Sequence, residues 1–183
     1  MSKDLTVIAK RYASALYEVV GQENLEQSEA EIRVVKDVME SNRDIQKLLN
    51  HPKISVEEKK QIVKESLGTD ISKPVLNTIL LLIDRNRENI IAEMAGQFIE
   101  LANESRGIAE ATVYSVRLLS QDERARLEET FAKRVGKQQL RIENIIDQSL
   151  VGGMRIRIGN RIFDGSIRGK LERIERQLAT TQG

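Results

Sequence analysis

The hydrophobic period of this chain changes near Ile108, and that switch constrains the fold more than any motif. Up to about residue 105 apolar residues recur at spacings of three and four, the mark of amphipathic helices. From Ile108 they recur at two, the mark of strands. The pattern predicts an α+β protein: an N-terminal six-helix bundle over residues 1–105, then a small α/β domain over 106–183 with a short sheet and two helices. Glycine follows the same division, with three in the first 105 residues and eight afterwards, because turns between strands need positive φ more often than helix connections do. Charge divides too: residues 1–105 hold 14 Lys/Arg against 18 Asp/Glu, and residues 106–183 hold 15 against 10. Balances of −4 and +5 suggest two units with different partners.

Leu5, Ile8, Ala9, Tyr12, Leu16, Val19 and Val20 trace the first helix, which ends at Gly21. Leu25, Ile32, Val35 and Met39 mark the second. Ile45, Leu48 and Leu49 mark a short third, stopped by Asn50-His51-Pro52. Ser55 and Glu58 form a capping box for the fourth, through Ile62, Val63 and Leu67 to Gly68. Ser72 and Pro74 open a fifth helix from Val75 to about Asp84, apolar almost all round, and a sixth runs from Glu88 to Arg106-Gly107.

Beyond it, Thr112, Tyr114, Val116 and Leu118 alternate with Ala111, Val113, Ser115 and Arg117 in a first strand. Ser120 and Glu123 cap a helix through Leu127, Phe131 and Val135 that Gly136 closes. Leu140, Ile142, Asn144 and Ile146 read as a second strand and Met154, Ile156 and Ile158 as a third. Gly159-Asn160 suits a two-residue hairpin turn into Arg161-Ile162-Phe163. Ile167, Leu171, Ile174 and Leu178 pattern a closing helix.

Chemistry-bearing constellations are scarce. The chain has no Cys and no Trp, with three Tyr and three Phe, which removes thiol nucleophiles, thiolate metal sites and a ready supply of stacking platforms. Gly165-Ser166-Ile167-Arg168-Gly169-Lys170 invites a phosphate-loop reading, but three residues separate its glycines where a Walker loop has four, and Leu171 stands where the magnesium ligand belongs. The single histidine, His51, lies in a turn without a Ser or carboxylate partner. Glu57-Glu58, Asp122-Glu123 and Glu128-Glu129 fall in first turns or among Lys/Arg, where the helix dipole and solvation account for them. No catalytic residue, metal site or cofactor is expected. A basic stretch of Arg155, Arg157, Arg161, Arg168, Lys170, Arg173 and Arg176 keeps a nucleic-acid-binding adaptor as the rival reading, against which Glu172 and Glu175 interleave. The N-terminus lacks a signal-peptide core and no apolar run approaches a bilayer span, so the chain is expected to stay in the cytosol.

The positive signal lies on the first and fifth helices. On the first, apolar and small residues including Ala9, Ala13, Ala15 and Tyr17 sweep roughly 200°, wider than a single core-facing stripe. Such excess suits either a central helix or a groove that accepts a partner helix.

Two runs carry a family resemblance: Arg11-Tyr12-Ala13-Ser14-Ala15-Leu16 near the start, and Val151-Gly152-Gly153, the alternation through Ile158, Gly159-Asn160, Asp164, Ser166, Ile167 and Leu171 near the end. In both the chain resembles the delta subunit family of bacterial F-type ATP synthase, whose mitochondrial relative is the oligomycin-sensitivity-conferring protein. The resemblance implies a non-catalytic peripheral-stalk subunit at the cytoplasmic face of the bacterial cell membrane. It implies that alpha-subunit N-terminal helices are held between the first and fifth helices, and it points to Ala9, Tyr12, Ala13, Leu16, Tyr17, Leu76, Ile79, Leu80 and Ile83. It implies that the C-terminal domain takes the C-terminal helices of the b-subunit stalk, with Gly152, Gly153, Gly159, Asn160, Asp164 and Ser166 as its signature. Neither nucleic acid nor a homo-oligomer is expected.

Overall fold

The computed structural model describes residues 2–68, 70–167 and 169. The closing helix expected around Leu171, Ile174 and Leu178 lies outside the described residues, as do Arg168, Lys170, Arg173 and Arg176. Two compact units divide the chain, Met1–Asn103 and Glu104–Gly183.

The first unit is helical: α1 (Ser2–Val20), α2 (Leu25–Ser41), α3 (Arg43–Leu49), α4 (Val56–Leu67), α5 (Lys73–Asp84) and α6 (Ile91–Ser105), which reaches just past the unit's edge. A 3₁₀ turn over Glu88–Ile90 stands where the periodicity begins the sixth helix. The Ser55–Glu58 capping box forms as its spacing requires, the Ser55 hydroxyl accepting from the Glu58 N–H at 3.2 Å and the Glu58 carboxylate from the Ser55 N–H at 2.9 Å. One aliphatic core joins these helices. Phe98, Met94 and Ile91 of α6, Val75, Ile79, Leu82 and Ile83 of α5, and Ala9, Ala13 and Leu16 of α1 all bury within it, each large side chain contributing about 1.5–3 kcal/mol of transfer free energy.

The second unit is a four-stranded sheet, β1 (Ile108–Ser115), β2 (Gln139–Ile146), β3 (Met154–Ile158) and β4 (Arg161–Asp164), with α7 (Gln121–Val135) between the first two strands. Strand order is β2-β1-β3-β4, with β1 and β2 parallel and the remaining pairs antiparallel. The parallel pair needs a long crossover, and α7 is that crossover. Val113, Leu140, Ile142, Ile156 and Ile158 form the covered face with Ala132 of α7. The first strand stops at Ser115, short of the alternation that continues to Leu118. The Ser115 hydroxyl donates to the Arg117 carbonyl at 2.7 Å, and Asn144 of β2 accepts from the Leu119 N–H at 2.8 Å, which turns the chain off the sheet. Val116 and Leu118 are left exposed.

Candidate partner-binding site

On α1 the wide apolar arc resolves into two stripes. Ala9, Ala13, Leu16 and Val20 face the core and are buried. Beside them, at the same three-and-four spacing, run Leu5, Ile8, Tyr12, Ala15 and Val19. Ile8 and Tyr12 are half-buried, Ala15 is exposed, and Leu5 and Val19 are 40% and 71% exposed. Spacing alone cannot separate the stripes, because both lie on one continuous arc. Of the residues the resemblance singled out, Ala9, Ala13, Leu16, Ile79 and Ile83 are occupied by the unit's own packing. Tyr12, Tyr17, Leu76 and Leu80 flank that core partly uncovered. Ala13, which the resemblance assigns to the alpha-subunit surface, lies at 0% exposure; Leu5, Ala15 and Val19 carry the exposed margin of the arc. The polar side of α1 holds a separate shallow hollow of about 430 Å³ lined by Val7, Lys10, Arg11, Ser14, Ala15 and Glu18.

Both tyrosine hydroxyls on α1 are engaged. Tyr17 accepts from the Gln22 side chain at 2.7 Å and sets its ring edge-on to Phe98, with centroids 6.5 Å apart. Tyr12 accepts from the Arg87 guanidinium at 3.0 Å. Arg87 has no periodicity to announce it. It lies in the turn after α5, where Asn86 adopts φ +51°, its N–H bonds to the Ile83 carbonyl at 2.9 Å and the Arg87 N–H to the Leu82 carbonyl at 2.8 Å. This is a Schellman closure with Asn in the left-handed position. It points Arg87 back toward α1.

In the second unit the glycine-rich run is a matter of close approach. Gly153 has φ +80°, and a Cβ there would stand 2.5 Å from the Gly165 carbonyl oxygen. One on Gly152 would meet Ile167 at 2.7 Å. Gly159, with φ +54°, takes the first central position of the two-residue turn between Ile158 and Arg161, and Asn160 the second, both exposed. The Asp164 carboxylate accepts from the Ser166 N–H at 2.8 Å, and buried Ser166 accepts from the Gly169 N–H at 3.1 Å, as a helix N-cap does. Every signature residue therefore shapes the hairpin and the chain's exit from it.

The chain is similar to known proteins along most of its length. The family model described as "ATP synthase delta (OSCP) subunit" matches residues 8–178. The chain belongs to that family. It is 52% identical over 173 residues to the ATP synthase subunit delta of a Geobacillus species and to that of Anoxybacillus flavithermus, covering 94% of this chain and 97% of each relative. To that of Bacillus thuringiensis it is 46% identical over 173 residues, 94% of this chain and 96% of the relative. A chain of the cryo-EM structure of the Toxoplasma gondii mitochondrial ATP synthase hexamer shares the fold, with TM-score 0.71 at 17% identity, over 93% of this chain and 97% of that one. As a delta (OSCP) subunit the protein is a non-catalytic component of the peripheral stalk of F-type ATP synthase.

Several of the charged and polar groups singled out in the sequence are engaged in local structure. His51 accepts from the Lys53 N–H at 3.2 Å within its turn. Arg117 makes a two-pronged contact with Glu123 at 2.8 and 2.9 Å, and Arg155 reaches Asp147 at 3.3 Å while stacking over Tyr114. Arg157 and Arg161 are exposed. The Arg117 hydrogen bonds, together with the Ser120 N–H, hold the Glu123 carboxyl down at about 2. Ser149 bonds lower Asp147, and Lys133 lowers Glu129. Among the described residues no group of three or more His, Cys, Asp or Glu is placed to hold a metal ion, and no helix is long and apolar enough to cross a membrane.

Proposed function

We propose that the protein is the strap between head and stator: its residues 1–105 act as a six-helix bundle that holds alpha-subunit N-terminal helices along α1 and α5, and residues 106–183 bind the C-terminal helices of the b-subunit stalk. In that role it links the alpha–beta head to the membrane-anchored b subunits at the cytoplasmic face of the bacterial cell membrane and resists rotor torque. The observation that carries the alpha-subunit half is the second stripe on α1. Leu5, Ile8, Tyr12, Ala15 and Val19 repeat at helical spacing beside a stripe that already satisfies the core, and small Ala15 permits close approach of a partner helix. The b-subunit half rests on the family resemblance and on the opposite charge balance of the two units. Binding of nucleic acid is not part of this reading, nor is a homo-oligomer.

Pull-downs of the full chain and of a chain ending at Ser105 test both halves. The cut belongs there because β1 is an inner strand, paired on both sides, and a cut after Leu119 would strip both its partners. The short chain should retain a peptide of the alpha N-terminal helix and lose a peptide from the C-terminal end of the b stalk. Retained b binding overturns the assignment of that contact to the second unit, and absent alpha binding by the full chain overturns the first.

A further inference from the structure

Tyr12 stands in the middle of the uncovered stripe on α1, with Leu5 and Ile8 on one side and Ala15 and Val19 on the other. Its hydroxyl is fixed by a residue 75 positions away: Arg87 donates to it at 3.0 Å, and the guanidinium carbon lies 5.8 Å from the ring centroid. Arg87 in turn has little freedom. The Schellman closure sets its backbone, and the positions around it are tied to α4, Asp84 to Lys60 at 2.7 Å and the next residue, Glu88, to buried Lys59. A long cation anchored on a fixed turn thus reaches across to the one aromatic ring on the stripe.

We propose that Arg87 is a positioning residue for the partner-helix surface. It holds the Tyr12 ring in one orientation and ties α1 to the C-terminal end of α5, so that the stripe is set before a helix arrives. This inference rests on the alpha-subunit reading of that surface. A ring held in place loses no rotamer freedom on binding, and the two helices that flank the incoming one keep their spacing; pre-organisation of this kind raises affinity by lowering the cost of association.

The contact can be isolated by a double-mutant cycle in the full chain, with a synthetic peptide of the cognate alpha-subunit N-terminal helix as probe. Tyr12→Phe removes the acceptor and keeps the ring; Arg87→Met removes the donor and keeps most of the aliphatic stem. Each should weaken peptide binding about 3- to 10-fold, the span of one hydrogen bond's net contribution. The double variant should be no weaker than the worse single, because both remove one interaction. Arg87→Lys, which keeps a cationic donor, should recover part of the loss. Amide exchange along α1 should speed up in both singles while circular dichroism stays native, and Lys47→Met, an exposed lysine of α3 paired only loosely with Asp44 at 3.8 Å, should leave affinity unchanged. Full additivity of the two losses, or unaltered affinity in both singles, overturns the role of Arg87. Failure of the unmodified chain to bind the peptide overturns the surface itself and this role with it.

Discussion

The Glu31 carboxylate of α2 accepts from both the backbone N–H of Ser72, at 2.9 Å, and its hydroxyl, at 2.6 Å. Ser72 is the N-cap of α5, and its own side chain caps nothing. A residue 41 positions earlier therefore places a negative charge at the start of α5, where the helix dipole favours it, and fixes where that helix leaves α2.

Replacing Glu31 with Ala removes that acceptor from a site only 8% exposed and leaves the Ser72 N–H without it. The loss should be about 1–3 kcal/mol, the penalty for an orphaned and partly buried donor. Urea denaturation followed by circular dichroism reads it directly. An unmoved midpoint would mean that the pair contributes nothing net.

Ala13 and Ala15 are two residues apart and should answer oppositely to the same change. Ala13 has no exposed surface, so Ala13→Trp forces a large ring into a packed core and should cost at least about 1–3 kcal/mol. Ala15 is exposed on the second stripe, and Ala15→Trp should leave stability within about 0.5 kcal/mol while blocking an alpha-subunit helix. Thermal melts and titration with the alpha N-terminal peptide separate the two effects. Undiminished affinity in the Ala15 variant would move the docking surface off this side of α1.

Local features were the legible ones. The capping boxes at Ser55–Glu58 and Ser120–Glu123, and the Gly159-Asn160 turn, each satisfy their chemistry within a few residues, so spacing alone reveals them. The strand order was not legible, because the parallel pairing of β1 with β2 depends on how α7 returns the chain and leaves no mark in the alternation. The same limit hid the working side of α1. Periodicity places Ala13 and Ala15 on one arc, and only packing against α5 and α6 decides which is buried. Arg87 was hidden more completely: it belongs to no periodic element, and its partner Tyr12 is brought near by the fold.

Acid should loosen the second unit through Glu123. Its pKa is lowered from 4.5 to about 2, first by the Arg117 hydrogen bond and then by the Ser120 N–H. A depressed carboxyl stabilises the fold above its unfolded value, and that contribution fades as pH falls from about 4.5 toward 2. The site is open to solvent, so the effect should be small and reduced by salt. Melting temperatures of Glu123→Gln between pH 7 and pH 2 should be lower than the parent's at pH 7 and should approach them at the acid end. A constant gap across that range would exclude the carboxylate as the source.

Lys59 of α4 and Glu88 of the 3₁₀ turn form an ion pair that is 6% and 7% exposed. The second carboxylate oxygen of Glu88 is buried and makes no hydrogen bond among the described residues. Such a pair contributes little beyond what apolar packing would, because desolvation of both charges offsets their attraction, yet either partner left alone is a buried, uncompensated charge. Lys59→Met and Glu88→Leu should each therefore destabilise the helical unit by about 3–5 kcal/mol, while the double replacement should recover most of that loss. Denaturant unfolding of the four proteins completes the cycle. If the double variant is as unstable as the sum of the singles, the pair is not the interaction being lost, and the cost lies in how the two side chains pack between α4 and the end of α5.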